Sequence, residues 1–281
     1  MIEIRNHRIF VDGKPCAYKE TPNKSGALKP EGIILHDTAG GLKADGSIAW
    51  LCNPAAKASA HTVIARDGTI TQLAPLNVRT WHAGRSNWRG RPNVNGFAIG
   101  HEIVNPGKLE KVSEQQYVNG LKVKVTADAN HIVREAHSPA HGKGYWLDYT
   151  AAQVDTVIGL CTAIRETYGV TFIGTHWEIS PGRKINTSPL FPLENVRAKV
   201  FGRATGIGKA ADKAADNTGV VNVGSLNMRS GPGASNKLIG AIKRGATVNI
   251  RSTDHNGDDL WMLVDVGRKS GWVAGRYIDL R

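Results

Sequence analysis

Residues 31–41 read EGIILHDTAGG. Ile33, Ile34 and Leu35 run without polar alternation, as in a strand covered on both faces. They deliver His36 to the strand's C-terminal end, just before a glycine-rich turn. In a mixed sheet, function gathers at such ends. Working outward, FAIGHEIVN (97–105) reads as a second buried strand, and VTFIG (170–174) as a short third one leading straight into Thr175 and His176. TVIARDGTITQL (62–73) reads as a hairpin, because Asp67-Gly68 is a strong two-residue turn signal. DYTAAQVDTVIGLCTAIRETYG (148–169) predicts the best helix in the chain. Thr150 and Gln153 form its capping box, Val154, Val157, Ile158, Cys161 and Ile164 its apolar face, and Gly169 its C-terminal stop. Over 114–137, Tyr117, Leu121, Val125, Ala129 and Ile132 recur at helical spacing and predict another helix. Helices and strands intermixed in this way give an α/β class: a mixed central sheet flanked by helices.

The pattern breaks at ATGIGKAADKAADNTG (204–219), a stretch of small, polar and charged residues with no aromatic to anchor it. We therefore divide the chain into a domain over 1–203, a linker over 204–218 and a second domain over 219–281. Beyond the linker only short strands fit, broken by Gly, Pro, Asn and Asp, which predicts a small all-β barrel.

The composition, 41% apolar and 21% charged over 281 residues, is that of a soluble globular protein. No apolar run approaches the roughly 18 residues of a membrane-spanning helix. The opening MIEIRNHRIFVDGKP lacks a secretory h-region, so if the protein acts outside the cytoplasm something else must release it. The three cysteines, Cys16, Cys52 and Cys161, are far apart, which argues against a disulfide framework and a cysteine-rich zinc site. The net charge of +12 favours an anionic partner. Nucleic acid, anionic lipid and an acidic cell-wall polymer are the candidates, and no recognised nucleic-acid motif accompanies the charge.

Among ten histidines, His36 and His176 stand at strand ends, where they can meet at one sheet edge and bind zinc. Glu102, after the strand AIGH, can lie at the same edge and take a proton from water. Lys184 can set a positive charge against a developing oxyanion. His7, His131, His137, His141 and His255 lack such context and read as structural or surface residues.

IILHDTAGG, SAHTVIARDGTITQL, TWHAGRSNWRGRPNVNGFAIGHEIVN and GTHWEISPGRK, in this order, resemble the type 2 N-acetylmuramoyl-L-alanine amidases over roughly residues 30–200. The resemblance implies a zinc amidase fold and hydrolysis of the amide between N-acetylmuramic acid and L-alanine of the peptidoglycan stem peptide. It implies His36 and His176 as zinc ligands, Glu102 as the residue that activates the water, and Lys184 as the residue that stabilises the transition state. The third ligand, usually aspartate, falls on Asn186. An amide oxygen is neutral and a poorer donor than a carboxylate, so zinc binding weakens. An inactivated variant and a non-catalytic peptidoglycan-binding protein are therefore alternatives. His61, Trp81 and His82 match recurrent non-ligand positions and read as pocket lining, hence substrate contacts, or core packing. LNMRSGPG (226–233), Gly245 and Gly271-Trp272-Val273 resemble the bacterial SH3-like domain, which implies cell-wall binding. Together these imply a monomeric phage or prophage endolysin, made in the bacterial (host) cytoplasm without a signal peptide, that acts on peptidoglycan, an anionic cell-wall polymer, and not on nucleic acid, after release.

Overall fold

The computed structural model describes residues 1–138, 140–202, 218–256, 259–267 and 269–280. The chain divides into two compact units, Met1–Gly206 and Ile207–Arg281. The linker expected over 204–218 lies outside the described residues except for Thr218.

The first unit is built on a six-stranded mixed sheet. Its order is Phe172–Thr175, Gly32–Asp37, Ala98–Ile103, Thr62–Ile64, Ile70–Gln72, Ala17–Tyr18. Gly32–Asp37 runs parallel to both neighbours, with His36 beside Glu102. Thr62–Ile64 and Ile70–Gln72 form the expected hairpin. Its connection is longer than two residues, with Asp67 and Gly68 at its centre and Gly68 at φ +87°. Side chains alternate across a strand, so each core strand serves two faces. Ile33, Leu35, Ile99 and Ile103 pack against helix α2 (Ala151–Tyr168) and helix α4 (Leu193–Phe201) in one cluster. Ile34 and Ala98 face the other way, into a second cluster closed by Ala83, Val94, Phe97 and Ile179. Helix α2 carries the predicted Thr150–Gln153 capping box and ends at Gly169 with φ 67°. A short helix α1 (Ala44–Leu51) covers Val63.

The helix expected over 114–137 does not form. Gln116–Asn119, Lys124–Thr126 and Val133–Ser138 are strands of a five-stranded antiparallel sheet completed by Leu109–Lys111 and Gly142–Leu147. The spacing misled for a physical reason. A hairpin turning about Leu121 sets Tyr117 directly opposite Val125, so a four-residue recurrence also arises without a helix. Leu121 at the turn is 71% exposed. The Asn119-Gly120 turn signal decides the outcome: Asn119 Oδ1 accepts from the amides of Leu121 and Val123, at 2.9 and 3.0 Å.

The second unit is a seven-stranded antiparallel sheet around its own core of Val221, Leu226, Met228, Ile242, Val248, Met262, Val264 and Val273. Gly271 is required there, because a Cβ would lie 2.2 Å from Cγ of Met228. Trp261 is buried and Trp272 half-buried.

Candidate active site

The sheet face that carries Ile34 also carries His36, Gly100 and Glu102, and there the histidines converge. His36 Nδ1 lies 2.9 Å from His176 Nδ1, and His36 Nε2 lies 2.9 Å from His82 Nδ1. The outer ring nitrogens meet backbone carbonyls: His82 Nε2 donates to Ala98 O at 3.0 Å, and His176 Nε2 to Ala83 O at 3.3 Å. A carbonyl only accepts, so in neutral rings the protons sit on these Nε2 atoms. His82 Nδ1 then accepts from His36 Nε2–H. The Nδ1 lone pairs of His36 and His176 are left facing each other.

Two facing lone pairs repel unless a cation lies between them. Asn186 also has a buried Oδ1 without a hydrogen-bond partner. Its backbone carbonyl accepts from Trp177 N at 2.8 Å, beside His176. Two residues on, Ser188 N donates to Asp37 Oδ2 at 2.8 Å, beside His36. The two imidazole nitrogens suit a zinc ion, with the amide oxygen as a weaker third donor than a carboxylate. Among the described residues, no group of three histidine, cysteine, aspartate or glutamate side chains is arranged to hold a metal. The neutral amide of Asn186 is what departs from such a set.

Burial keeps the imidazoles neutral by disfavouring their charged forms. It depresses His36 well below the usual range, with the neighbouring His176 and His82 adding to the effect. Burial and then Lys184 push His176 down to about 3, and burial takes His82 to about 4. The carboxylates move the other way. Burial and the charge of Asp37 raise Glu102 to about 8, opposed by Lys184. Glu102 Oε2 is buried without a hydrogen-bond partner, although the residue as a whole is half-buried. The charge of Lys184 is thus felt at Glu102, His36 and His176 alike.

His176 is the first residue of helix α3 (His176–Ile179), which begins directly at the end of the Phe172–Thr175 strand. Glu178 closes this turn by accepting from Thr175 N and Oγ1, at 2.8 and 3.0 Å. Arg197 of α4 holds Glu178 in turn, at 2.8 Å.

The other sequence candidates fall elsewhere. His61 is fully buried, and both its ring nitrogens are taken, by Val78 O, Gly100 N and Thr80 Oγ1. It packs in the core and offers a substrate nothing. Trp81 is half-buried, with its Nε1 donating to Ser25 Oγ at 3.1 Å. His82 is buried behind His36.

Sequence reasoning passed over the support of the Asn186 loop. Tyr149 Oη donates to Asp37 Oδ1 at 2.5 Å, and burial raises Asp37 to about 7. His141, set aside as structural or surface, reaches from the inserted sheet to donate to Thr187 O at 2.8 Å. The available signals were Asp37 next to His36 and Tyr149 next to the α2 cap.

In the second unit, Trp261, Tyr277, Arg229 and Asn227 help to line a cleft of about 290 Å³.

Residues 26–189 match the profile of the N-acetylmuramoyl-L-alanine amidase family, and residues 224–279 that of the bacterial SH3 domain. The chain is 31% identical over 144 residues to the 1,6-anhydro-N-acetylmuramyl-L-alanine amidase AmpD of Haemophilus influenzae, covering 51% of this chain and 59% of that protein. It is 26% identical over 179 residues to the N-acetylmuramoyl-L-alanine amidase AmiD of Escherichia coli, covering 60% of this chain and 53% of that protein. The chain thus spans less than two thirds of the length of either relative. A solved complex of E. coli AmiD with anhydro-N-acetylmuramic acid-L-Ala-D-gamma-Glu-L-Lys superposes with a TM-score of 0.45 and 24% identity, over 75% of this chain and 68% of that one.

Proposed function

The chain belongs to the N-acetylmuramoyl-L-alanine amidase family, and on that premise we propose that it hydrolyses the amide between N-acetylmuramic acid and L-alanine in peptidoglycan. The observation that carries this reading is the pair of facing Nδ1 lone pairs on His36 and His176, with Glu102 beside His36 on the same sheet face. His36, His176 and Asn186 are the residues that would hold zinc. Zinc, when bound, supplies Lewis acidity toward water and the scissile carbonyl.

Glu102 takes the proton of the attacking water and returns it to the departing amine nitrogen. Its burial suits both duties, since a carboxyl raised toward neutral pH accepts and releases a proton at little cost. Lys184 places its charge against the oxyanion that forms as the carbonyl is attacked. His36 and His176 are themselves buried, and the low dielectric around them strengthens these interactions.

The C-terminal domain holds the enzyme on the wall as a monomer. Arg229 and Arg276 at its cleft, and the chain's net charge of +12, suit an anionic glycan-peptide, and Trp261 and Tyr277 supply apolar contact. An amidase domain joined to such an anchor fits a phage or prophage endolysin made in the host cytoplasm and acting on the wall after release.

Asn186 favours a second reading, in which this chain grips peptidoglycan without cutting it. Exchanging carboxylate for amide removes one negative charge from the ligand set and weakens metal retention. Both readings meet one experiment: mass spectrometry of purified peptidoglycan digested with added zinc by the chain and by Asn186→Asp. The amidase reading expects intact stem peptides with free L-alanine amino groups from both. Release by Asn186→Asp alone establishes the second reading, and release by neither overturns the assigned site.

A further inference from the structure

His82 is the one ring in the histidine cluster that touches a proposed ligand and yet cannot serve a substrate. Both its nitrogens are spent on the protein, Nε2 on Ala98 O and Nδ1 on His36 Nε2. That chain of bonds has a direction. The Ala98 carbonyl accepts, so it fixes the proton of a neutral His82 on Nε2. His82 Nδ1 must then accept, which fixes the proton of His36 on Nε2. His36 is left with its lone pair on Nδ1, the nitrogen that faces His176.

The residue after His82 treats the other histidine alike, since Ala83 O accepts from His176 Nε2. One dipeptide thus addresses both rings. It is held in place by Asn95, whose Oδ1 accepts from His82 N at 3.1 Å and Ala83 N at 2.8 Å. The sheet makes room for it at Gly100, where a Cβ would lie 2.3 Å from Cγ of His82.

We propose that His82 is a positioning residue that locks His36 in its Nε2–H tautomer, so that the Nδ1 lone pair is presented to zinc. This rests on the zinc-amidase reading for its purpose but not for its geometry. In solution a free imidazole exchanges its proton between the two nitrogens. A His36 carrying its proton on Nδ1 would point N–H at the metal position and would have to rearrange before binding. The relay removes that rearrangement and also holds the ring plane, as hydrogen bonds behind a histidine ligand do.

The test begins with the zinc-free full-length chain, ¹⁵N-labelled at histidine, by long-range ¹H–¹⁵N correlation at pH 7.5. His36 and His82 are expected as Nε2–H tautomers; His36 as the Nδ1–H form overturns the proposal without any variant. Zinc affinity is then measured by chelator competition. His82→Phe keeps a ring but removes the acceptor, and is expected to weaken zinc binding about 10- to 100-fold. His82→Asn, whose amide both accepts and donates, is expected to recover part of that loss. His82→Phe binding zinc as tightly as the parent, with its circular dichroism unchanged, overturns the proposal. If His82→Phe does not fold, the tautomer measurement on the parent decides. A chain that fails to cleave peptidoglycan yet has the expected tautomers and zinc affinities loses the amidase reading and keeps the relay.

Discussion

The strands Gly32–Asp37 and Ala98–Ile103 each present two faces, and the two faces are put to different use. On one, Ile33, Leu35, Ile99 and Ile103 meet the apolar flank of α2. On the other, His36, Gly100 and Glu102 meet loops carrying His82, Asn186 and Lys184. Burial is similar on both, so burial alone does not distinguish core from site. The difference lies in what closes each face. The helix flank offers mainly apolar side chains, with Gln153 spent on Val104 O at 2.8 Å, whereas irregular chain offers carbonyls, amides and polar side chains that can aim the groups beneath them. His101 sharpens the lesson. It shares a strand with Glu102 but points to the α2 face, where its Nδ1 pairs with Thr62 Oγ1 at 2.7 Å. No loop aims it at anything, and its Nε2 is buried without a partner.

Three measurements break or sharpen this contrast. The largest effect falls on the loop-closed face. Glu102→Gln is nearly isosteric and is expected to cut peptide release about 100- to 10,000-fold. Zinc affinity and thermal midpoint should stay close to the parent; a fall in all three would make Glu102 structural. On the helix-closed face, Leu35→Ala is expected to cost about 2–5 kcal/mol of unfolding free energy in urea. Zinc affinity at low temperature should survive it, and a loss there without a loss of stability would show that the faces are not separable.

The smallest effect is the pH response of the zinc-free protein. His36, His61, His82, His101 and His176 are depressed in the fold, so below about pH 6.5 the unfolded chain binds more protons and stability falls with acid. Asp37 and Glu102 are raised to about 7 and about 8, so the fold holds their protons after the unfolded chain has lost them, and stability falls as pH rises toward 8. A maximum near pH 7 is expected, with a loss of roughly half a kcal/mol over the next pH unit. A thermal midpoint still climbing at pH 8 would refute the carboxylate part.

Much of this contrast was legible in the residues. Uninterrupted apolar runs located the strands, and a histidine at the end of two of them pointed to the sheet edge where His36 and His176 meet. Glu102 was recoverable because it ends a neighbouring strand. The inserted sheet was not, since a four-residue recurrence is shared by a helix and by a hairpin folded about its midpoint. Nor was the part played by His82. It depends on which nitrogen carries a proton, and that is set by carbonyls that any residue possesses. His61 and His82 look alike as motif histidines, yet His61 is tied to Gly100 N and Val78 O and never reaches His36 directly.

The clasp of Arg197 on Glu178 has a consequence in time. His176 starts a one-turn helix whose cap is Glu178, and Glu178 is held by a residue of α4, the last helix described in the first unit. Arg197 also binds Ile173 O, at 2.7 Å, on the strand that delivers His176. A chain still being made can pair its strands and dock α2 before Arg197 exists. Until α4 emerges, the turn that carries His176 lacks its clasp. The turn that carries His176 is thus completed only when the last helix described in the first unit has been written.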